Sequence, residues 1–155
     1  MISVQTHDFD MATEYKSLCA NGGKCGAVVT FTGLVRDFND AGEVSSMFIE
    51  HYPEMTEQCL HQLCLEAKHL WQLGNIKLIH RIGELHANEQ IVFVGVAATH
   101  RQAAFEAACF IMDHLKNTVP LWKKEGLTNN QQWVSQKSSD KAALARWFPK
   151  TSNKW

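Results

Sequence analysis

The 155-residue sequence lacks any apolar run approaching the ~20 residues that a membrane-spanning helix requires. Its first residues include acids where a secretory signal would carry basic side chains, and no continuous apolar stretch follows them. These absences predict a cytoplasmic protein.

The cysteines lack the spacing of a disulfide framework or a zinc ribbon. They are five, an odd number, and none forms a C-x-x-C pair, so reduced thiols are expected. His61 and Cys64 would share one face of a helix, but Cys64 continues an apolar stripe with Leu60, and no four-ligand spacing completes the set. The sequence therefore predicts no bound metal.

The net charge is close to zero. The chain has 15 Lys and Arg residues and 16 Asp and Glu residues, so its formal net charge is −1. This balance argues against broad binding to a polyanion such as DNA. The five tryptophans lack the interleaved basic residues of a nucleic-acid stacking platform and are expected in the core or at interfaces. Any anion site must be local.

No repeat and no linker rich in Pro, Gly or Ser divides the chain. Residues 1–155 are therefore expected to form one domain, with a polar tail from about residue 136 that holds a short helix near 140–147. A domain of this size buries roughly 68 to 70% of the surface that its unfolded chain exposes.

The patterns predict strands and helices in mixed order, hence an α+β fold with a mixed or antiparallel sheet and packed helices. Strands are predicted at 2–5, 26–33, 44–52, 76–82, 91–98, 121–124 and 131–135, and helices at 10–18, from Pro53 to a stop at Gly74, and from Thr99 to before Pro120. The polar segments 36–43 and 83–90 are expected to be loops, the first mobile and the second closing a hairpin. Asn21 to Gly23 are expected to form the turn that leaves the first helix.

The third helix has the strongest periodicity. Thr99 and Gln102 have the spacing of a capping box. The apolar stripe is predicted to comprise Phe105, Ala108, Cys109, Met112 and Leu115.

Basic residues suggest where chemistry takes place. His100 and Arg101 open the third helix, where free N–H groups and the helix dipole favour an anion, although solvated first-turn residues would look the same. Arg36 follows a strand and suits phosphate or carboxylate, but arginines at strand ends are commonplace.

Two lysines could share a pocket. Lys116 ends the third helix and Lys123 follows Pro120, so a short turn would bring them together. Repulsion and burial would lower the pKa of a clustered lysine, whereas a helix C-terminus favours the charged form, and the pattern does not rank these opposing effects. A cationic last turn plus an exposed strand lysine is the simpler alternative.

Four segments occur in a diagnostic order. They are GAVVTFTGLVR, IEHYPEMTE, IHRIGELHANEQIVFVGVAATHRQAAFEA and FIMDHLKNTVPLWKKE. Together they resemble the large-subunit family of molybdopterin synthase, over about residues 26–134. The segment after Arg36 is less polar than in many relatives, and the tail is not diagnostic.

The resemblance implies an α/β-hammerhead-like fold and a sulfurtransferase of molybdenum cofactor biosynthesis. A ubiquitin-like small subunit with a Gly-Gly thiocarboxylate would donate sulfur to cyclic pyranopterin monophosphate, and two transfers would form the dithiolene of molybdopterin. No cofactor is implied for this chain, because the sulfur comes from the partner. Two large subunits would dimerise and bind two small ones, giving a heterotetramer.

The resemblance also assigns residues. Lys116 matches the catalytic lysine and Lys123 a second lysine required in the pocket. Substrate-binding positions are matched by Leu34, Val35, Arg36, His100, Arg101, Lys116, Lys123, Lys124 and Glu125, with Arg36, His100 and Arg101 at the pterin phosphate. Phe31 and Met112 match apolar residues that shape the pocket. A non-catalytic anion-binding or scaffold module of the same fold is the main alternative, and retention of both lysines argues against it.

Overall fold

The fold was obtained as a computed structural model that describes residues 1–20, 25–39, 42–127 and 130–148. Within these residues there are four helices, α1 (Met11–Ala20), α2 (Met55–Trp71), α3 (Arg101–Thr118) and α4 (Ser138–Ala145). Nine strands accompany them: β1 (Ile2–Gln5), β2 (Ala27–Leu34), β3 (Phe38–Asn39), β4 (Gly42–His51), β5 (Ile76–Arg81), β6 (Gly83–His86), β7 (Gln90–Ala98), β8 (Leu121–Leu127) and β9 (Asn130–Trp133). None of these helices combines the length and hydrophobicity needed to cross a bilayer.

The first sheet has the strand order β1-β5-β7-β2, with β1 parallel to β5 and the other pairs antiparallel. Its central strand β7 is buried along nearly its whole length, because α1 and α3 both pack against it. Gly95 makes room for α1, since a Cβ there would lie 2.2 Å from the Leu18 side chain. A strand buried in this way has a continuous apolar sequence rather than an alternating one.

The second sheet is antiparallel and centred on β4, which pairs with β8 along one edge and with β3 and β6 along the other. β9 extends this sheet beyond β8. The fold class predicted from the sequence, α+β with mixed sheets and packed helices, is confirmed. The seven predicted strands are all present, with ends shifted by a few residues.

Two segments predicted as loops contain strands. Residues 83–90 do not form a simple hairpin loop, because Gly83 takes a positive φ of 82° and redirects the chain into β6 of the second sheet, where Leu85 is fully buried. The segment after Arg36 forms the short hairpin of β3 with β4. The predicted turn at Asn21 to Gly23 lies outside the described residues.

The predicted apolar face of α3 is partly right, since Ala108 and Leu115 are buried and Met112 is partly buried. Phe105 is 60% exposed and Cys109 is exposed, whereas the buried positions are Ala104, Ala107, Ala108, Phe110, Ile111 and Leu115. Small alanines face the sheet because they let the helix approach it closely. The amino-acid pattern alone does not show this, since a phenylalanine is the more hydrophobic residue. The predicted capping box is also absent: His100 is the N-cap without a side-chain cap bond, and the Gln102 amide donates to Glu106 at 2.9 Å.

α2 ends three residues before the predicted stop at Gly74. Gln72 takes the left-handed conformation that closes the helix. Gly74 instead pairs with β7, its N–H donating to the Ala97 carbonyl at 2.9 Å. On α2, Cys64 is buried and burial raises its pKa to about 11, so it behaves as the small apolar residue that the stripe predicts.

Candidate functional site

Lys116 and Lys123 meet where α3 turns into β8. The turn is fixed by Thr56 of α2, which is fully buried and whose hydroxyl donates to the Pro120 carbonyl at 3.0 Å while accepting from the Tyr52 N–H. Across this turn the charge of Lys116 lowers the pKa of Lys123, so the two side chains act on each other electrostatically.

Lys123 is the electrostatic centre of this cluster. Burial lowers its pKa most, and the ammonium of Lys116 lowers it further. The carboxylates of Asp140 and Glu125 oppose these effects, and Arg36 adds a weaker lowering. Two further cations and two carboxylates therefore act on Lys123, and the cluster has an excess of positive charge when Lys123 is protonated.

The pleat of β8 separates its two adjacent lysines. Successive side chains of a strand point to opposite faces, so Lys123 and Glu125 share one face and Lys124 lies on the other. The Lys124 ammonium lies 5.5 Å from the Trp133 ring centroid and lines a cavity of about 290 Å³ with Phe48 and Glu50. Its side chain is thus not brought to the lysine pair.

His80 adds a neutral group behind the pair. It is buried on β5, and its Nδ1 lies 2.8 Å from the Arg81 carbonyl. Burial lowers its pKa to about 3, with a further contribution from the charge of Lys123. The imidazole therefore stays uncharged at physiological pH and adds no repulsion to the cluster.

His100 and Arg101 lie far from the lysines of the same chain. Arg101 and Lys116 stand at opposite ends of α3, about 22 Å apart at 1.5 Å per residue. Thr99 adjoins Gly26, just before β2, whereas Arg36 follows the other end of that strand, and Ala27 to Leu34 alone spans about 23 Å. The structure therefore does not bring Arg36 together with His100 and Arg101 within one chain.

Comparison with known proteins decides the family. Residues 4–118 match the model of the family described as MoaE protein. The chain belongs to the MoaE family. The molybdopterin synthase catalytic subunit of Pseudomonas aeruginosa is 50% identical over 146 residues, 94% of this chain and 97% of that protein.

Solved MoaE structures share the fold. The molybdopterin biosynthesis MoaE protein of Burkholderia ambifaria superposes with a TM-score of 0.81 at 43% identity, covering 95% of this chain and 97% of that one. A molybdopterin synthase structure from Staphylococcus aureus gives 0.79 at 27% identity, covering 85% and 95%.

The other residues predicted for this MoaE-family chain differ in accessibility. Leu34 and Phe31 are exposed on β2, and Met112 is partly buried on α3. Val35, by contrast, is 1% exposed and belongs to the hydrophobic core, with its N–H and carbonyl bonded to Glu89 and Asn88. Its side chain is not available to line a substrate pocket.

Sequence reasoning missed two groups at this MoaE site. Asp140 lies with its carboxylate 3.6 Å from the Lys116 ammonium, although it is 24 residues further along the chain. Asn39 donates to Glu125 at 2.6 Å and so holds the carboxylate beside Lys123. Neither residue belongs to a local sequence motif. The only feature of the sequence that pointed to Asp140 was the short helix predicted in the tail.

Proposed function

We propose that this chain is the catalytic subunit of a molybdopterin synthase and transfers sulfur to cyclic pyranopterin monophosphate. The observation that supports this most is that Lys116 and Arg36 both act on the buried Lys123, so that three basic residues share one cluster. The reaction must bring a thiocarboxylate and a phosphorylated pterin together against their mutual repulsion. Cations placed in advance at one position meet that requirement.

The donor in this proposal is the C-terminal thiocarboxylate of a ubiquitin-like small subunit. Its sulfur forms a bond to a side-chain carbon of the pterin while a carbon–oxygen bond at that carbon breaks and the oxygen leaves on the phosphate or as water, which gives a thioester between the two. Water then adds to the thioester carbonyl, the carbon–sulfur bond to the donor breaks, and the small subunit leaves as a carboxylate. Two such transfers supply the dithiolene sulfurs, and the molybdenum that they later bind is not a cofactor of this chain. The reaction is proposed to be cytoplasmic.

The phosphate end of the site requires a second copy of the chain. His100 and Arg101 are exposed at the N-terminus of α3, where the helix dipole favours an anion, but they lie on the order of 20 Å from Lys116 of their own chain. A homodimer can place these residues of one subunit beside Lys116, Lys123 and Arg36 of the other. Two small subunits would complete a heterotetramer.

Reconstitution tests the function directly. The purified chain is mixed with a thiocarboxylated small subunit and the pterin precursor, and the dithiolene product is quantified. Stoichiometric conversion is expected, with the small subunit recovered as a carboxylate. Absence of product despite formation of the complex would favour a scaffold module.

Arg101→Ala is expected to weaken binding of the precursor about 10- to 100-fold, because a hydrogen bond between charged groups is lost at the phosphate. Affinity for the small subunit should not change. Calorimetry of both interactions measures this, with the neighbouring Gln102→Ala as control, since its amide contacts Glu106 of its own helix. Equal precursor affinity in Arg101→Ala and the unmodified chain would remove Arg101 from the site.

Replacement of all five cysteines by alanine should leave sulfur transfer intact, because the sulfur is carried by the small subunit. All five are free thiols, and Cys64 is buried in the core, so a lower melting temperature is expected from that position. Product formation per folded molecule is the measurement. Complete loss in a folded variant, traced to one thiol, would contradict it.

A further inference from the structure

α4, the last helix in the described residues, is fastened to the second half of α3. The Asn117 amide donates to the backbone carbonyl of Asp140 at 2.9 Å. Asp113 accepts from Arg146 at 2.5 Å and from the indole of Trp147 at 2.7 Å. The Trp147 ring then packs edge-on against Trp71 and Phe110, with centroids 5.8 and 5.3 Å apart. The helix is held by both polar and aromatic contacts.

This docking sets the position of one carboxylate. Because its own backbone carbonyl is tied to Asn117, Asp140 is held beside the residue that follows Lys116, and its Oδ1 lies 3.6 Å from the Lys116 ammonium. Asp140 is the less exposed partner, with 25% of its side chain accessible against 51% for Lys116. The carboxylate of Asp140 is thus the fixed group, and it orients the longer and more exposed side chain of Lys116.

We propose that Asp140 is a positioning residue of the sulfur-transfer site: its carboxylate orients the Lys116 ammonium and supplies the negative charge that lets Lys116 and Lys123 occupy one pocket. This inference rests on the function proposed above. An acidic residue in the first turn of a helix also stabilises the helix itself, so the test must separate the two roles.

Four charged groups on different parts of the fold act on Lys123, and the neutral His80 also lies close enough to sense its charge. Glu125 stands on its own strand, Lys116 on α3, Asp140 on α4, Arg36 after β2, and the uncharged His80 on β5. Asp140 raises the pKa of Lys123 against burial and Lys116. Removing its charge therefore lowers that pKa, whichever form of Lys123 is active.

Asp140→Asn and Asp140→Glu are the informative variants. Asparagine keeps the backbone contact to Asn117 and removes the charge, whereas glutamate restores the charge on a longer stem. Glu66→Gln, which removes an exposed carboxylate on α2, controls for net charge, and Lys141→Gln controls for changes on α4. Melting temperatures establish that each variant is folded.

The first measurement needs no substrate. Side-chain ¹H–¹⁵N NMR titration of the full chain should show the Lys123 transition at lower pH in Asp140→Asn and near its original position in Asp140→Glu. An unchanged Lys123 titration in folded Asp140→Asn would overturn the proposal, whether or not the chain proves to be a synthase.

The second measurement uses the reconstituted complex. Asp140→Asn should lower kcat about tenfold or more with little change in KM for the small subunit, and the limb of the pH–rate profile governed by Lys123 should move toward acid. Asp140→Glu should recover most of the rate. A loss that follows the melting temperature and leaves the pH profile in place would show a purely structural role and overturn the assignment.

Discussion

Lys116→Ala is expected to lower kcat for sulfur transfer by about 10²- to 10⁴-fold, the range typical for removal of a group that moves a proton or stabilises an oxyanion. The structure places this ammonium beside Asp140 and close to Lys123, with half of its side chain open to a ligand. The small subunit should still bind, because one surface charge contributes little to a large interface. Single-turnover formation of the dithiolene is the measurement.

Lys116→Arg distinguishes the two roles of Lys116. Arginine retains the charge but does not readily lose a proton, and its planar head is bulkier. Near-complete loss would indicate proton transfer, whereas substantial activity would indicate charge stabilisation. Lys123→Ala should chiefly impair positioning, with activity recovered at high precursor concentration.

Lys68→Ala, on the exposed face of α2, is the matched control for loss of a lysine. All variants must be folded and bound to the small subunit. Turnover of Lys116→Ala at the rate of the unmodified chain would show that the catalytic assignment is wrong and would favour a scaffold.

A mixture of Lys116→Ala and Arg101→Ala chains should recover activity that neither has alone. If each site takes its lysines from one subunit and Arg101 from the other, half of the randomly assembled dimers are mixed and carry one intact site of two. The expected rate is about one quarter of that of the unmodified protein. Assays at precursor concentrations below KM, after subunit exchange or co-expression, measure it.

The matched control is a mixture of Lys116→Ala with Lys123→Ala. These lysines belong to the same half of the site, so every site in a mixed dimer lacks one of them and no recovery is expected. Native mass spectrometry verifies that mixed dimers form. If they form and the Lys116→Ala and Arg101→Ala mixture shows no more activity than its two components, the site is not shared between subunits.

Local chemistry made most of the fold predictable. The cap at Asp10, whose carboxylate accepts from the Thr13 N–H at 2.7 Å, and the hairpin of β8 and β9 follow from neighbouring residues. Strand β6 could not be predicted from its neighbours in sequence, because it pairs with the distant strand β4. Its own sequence is polar apart from Leu85, and Ile82 just precedes it. Ala104 and Ala107 of α3 were missed as buried positions, because close packing against the sheet favours small residues that a pattern of large apolar residues does not reveal.

The site was predictable where its parts are close in sequence. The short turn after α3 predicts that Lys116 and Lys123 lie near each other, and the charge of Lys116 does act on Lys123. The resemblance assigned His100 and Arg101 to the same substrate, but it carried no information on which chain supplies them, and only the length of α3 and β2 reveals the separation. The resemblance also assigned Lys124 to the substrate, and the pleat of β8 directs its side chain to the face opposite Lys123.

The turn between α3 and β8 also implies an order of assembly. Lys116 and Lys123 are seven residues apart, so closing the loop between them costs little chain entropy, and they are brought together whenever this helix and strand form. Arg36 and Asp140 join from 80 residues before Lys116 and 24 residues after it, and their contacts carry a higher entropic cost. We therefore expect the two ammonium groups to meet during folding before the nonlocal carboxylate of Asp140 arrives, so that docking of α4 relieves a repulsion that local structure creates.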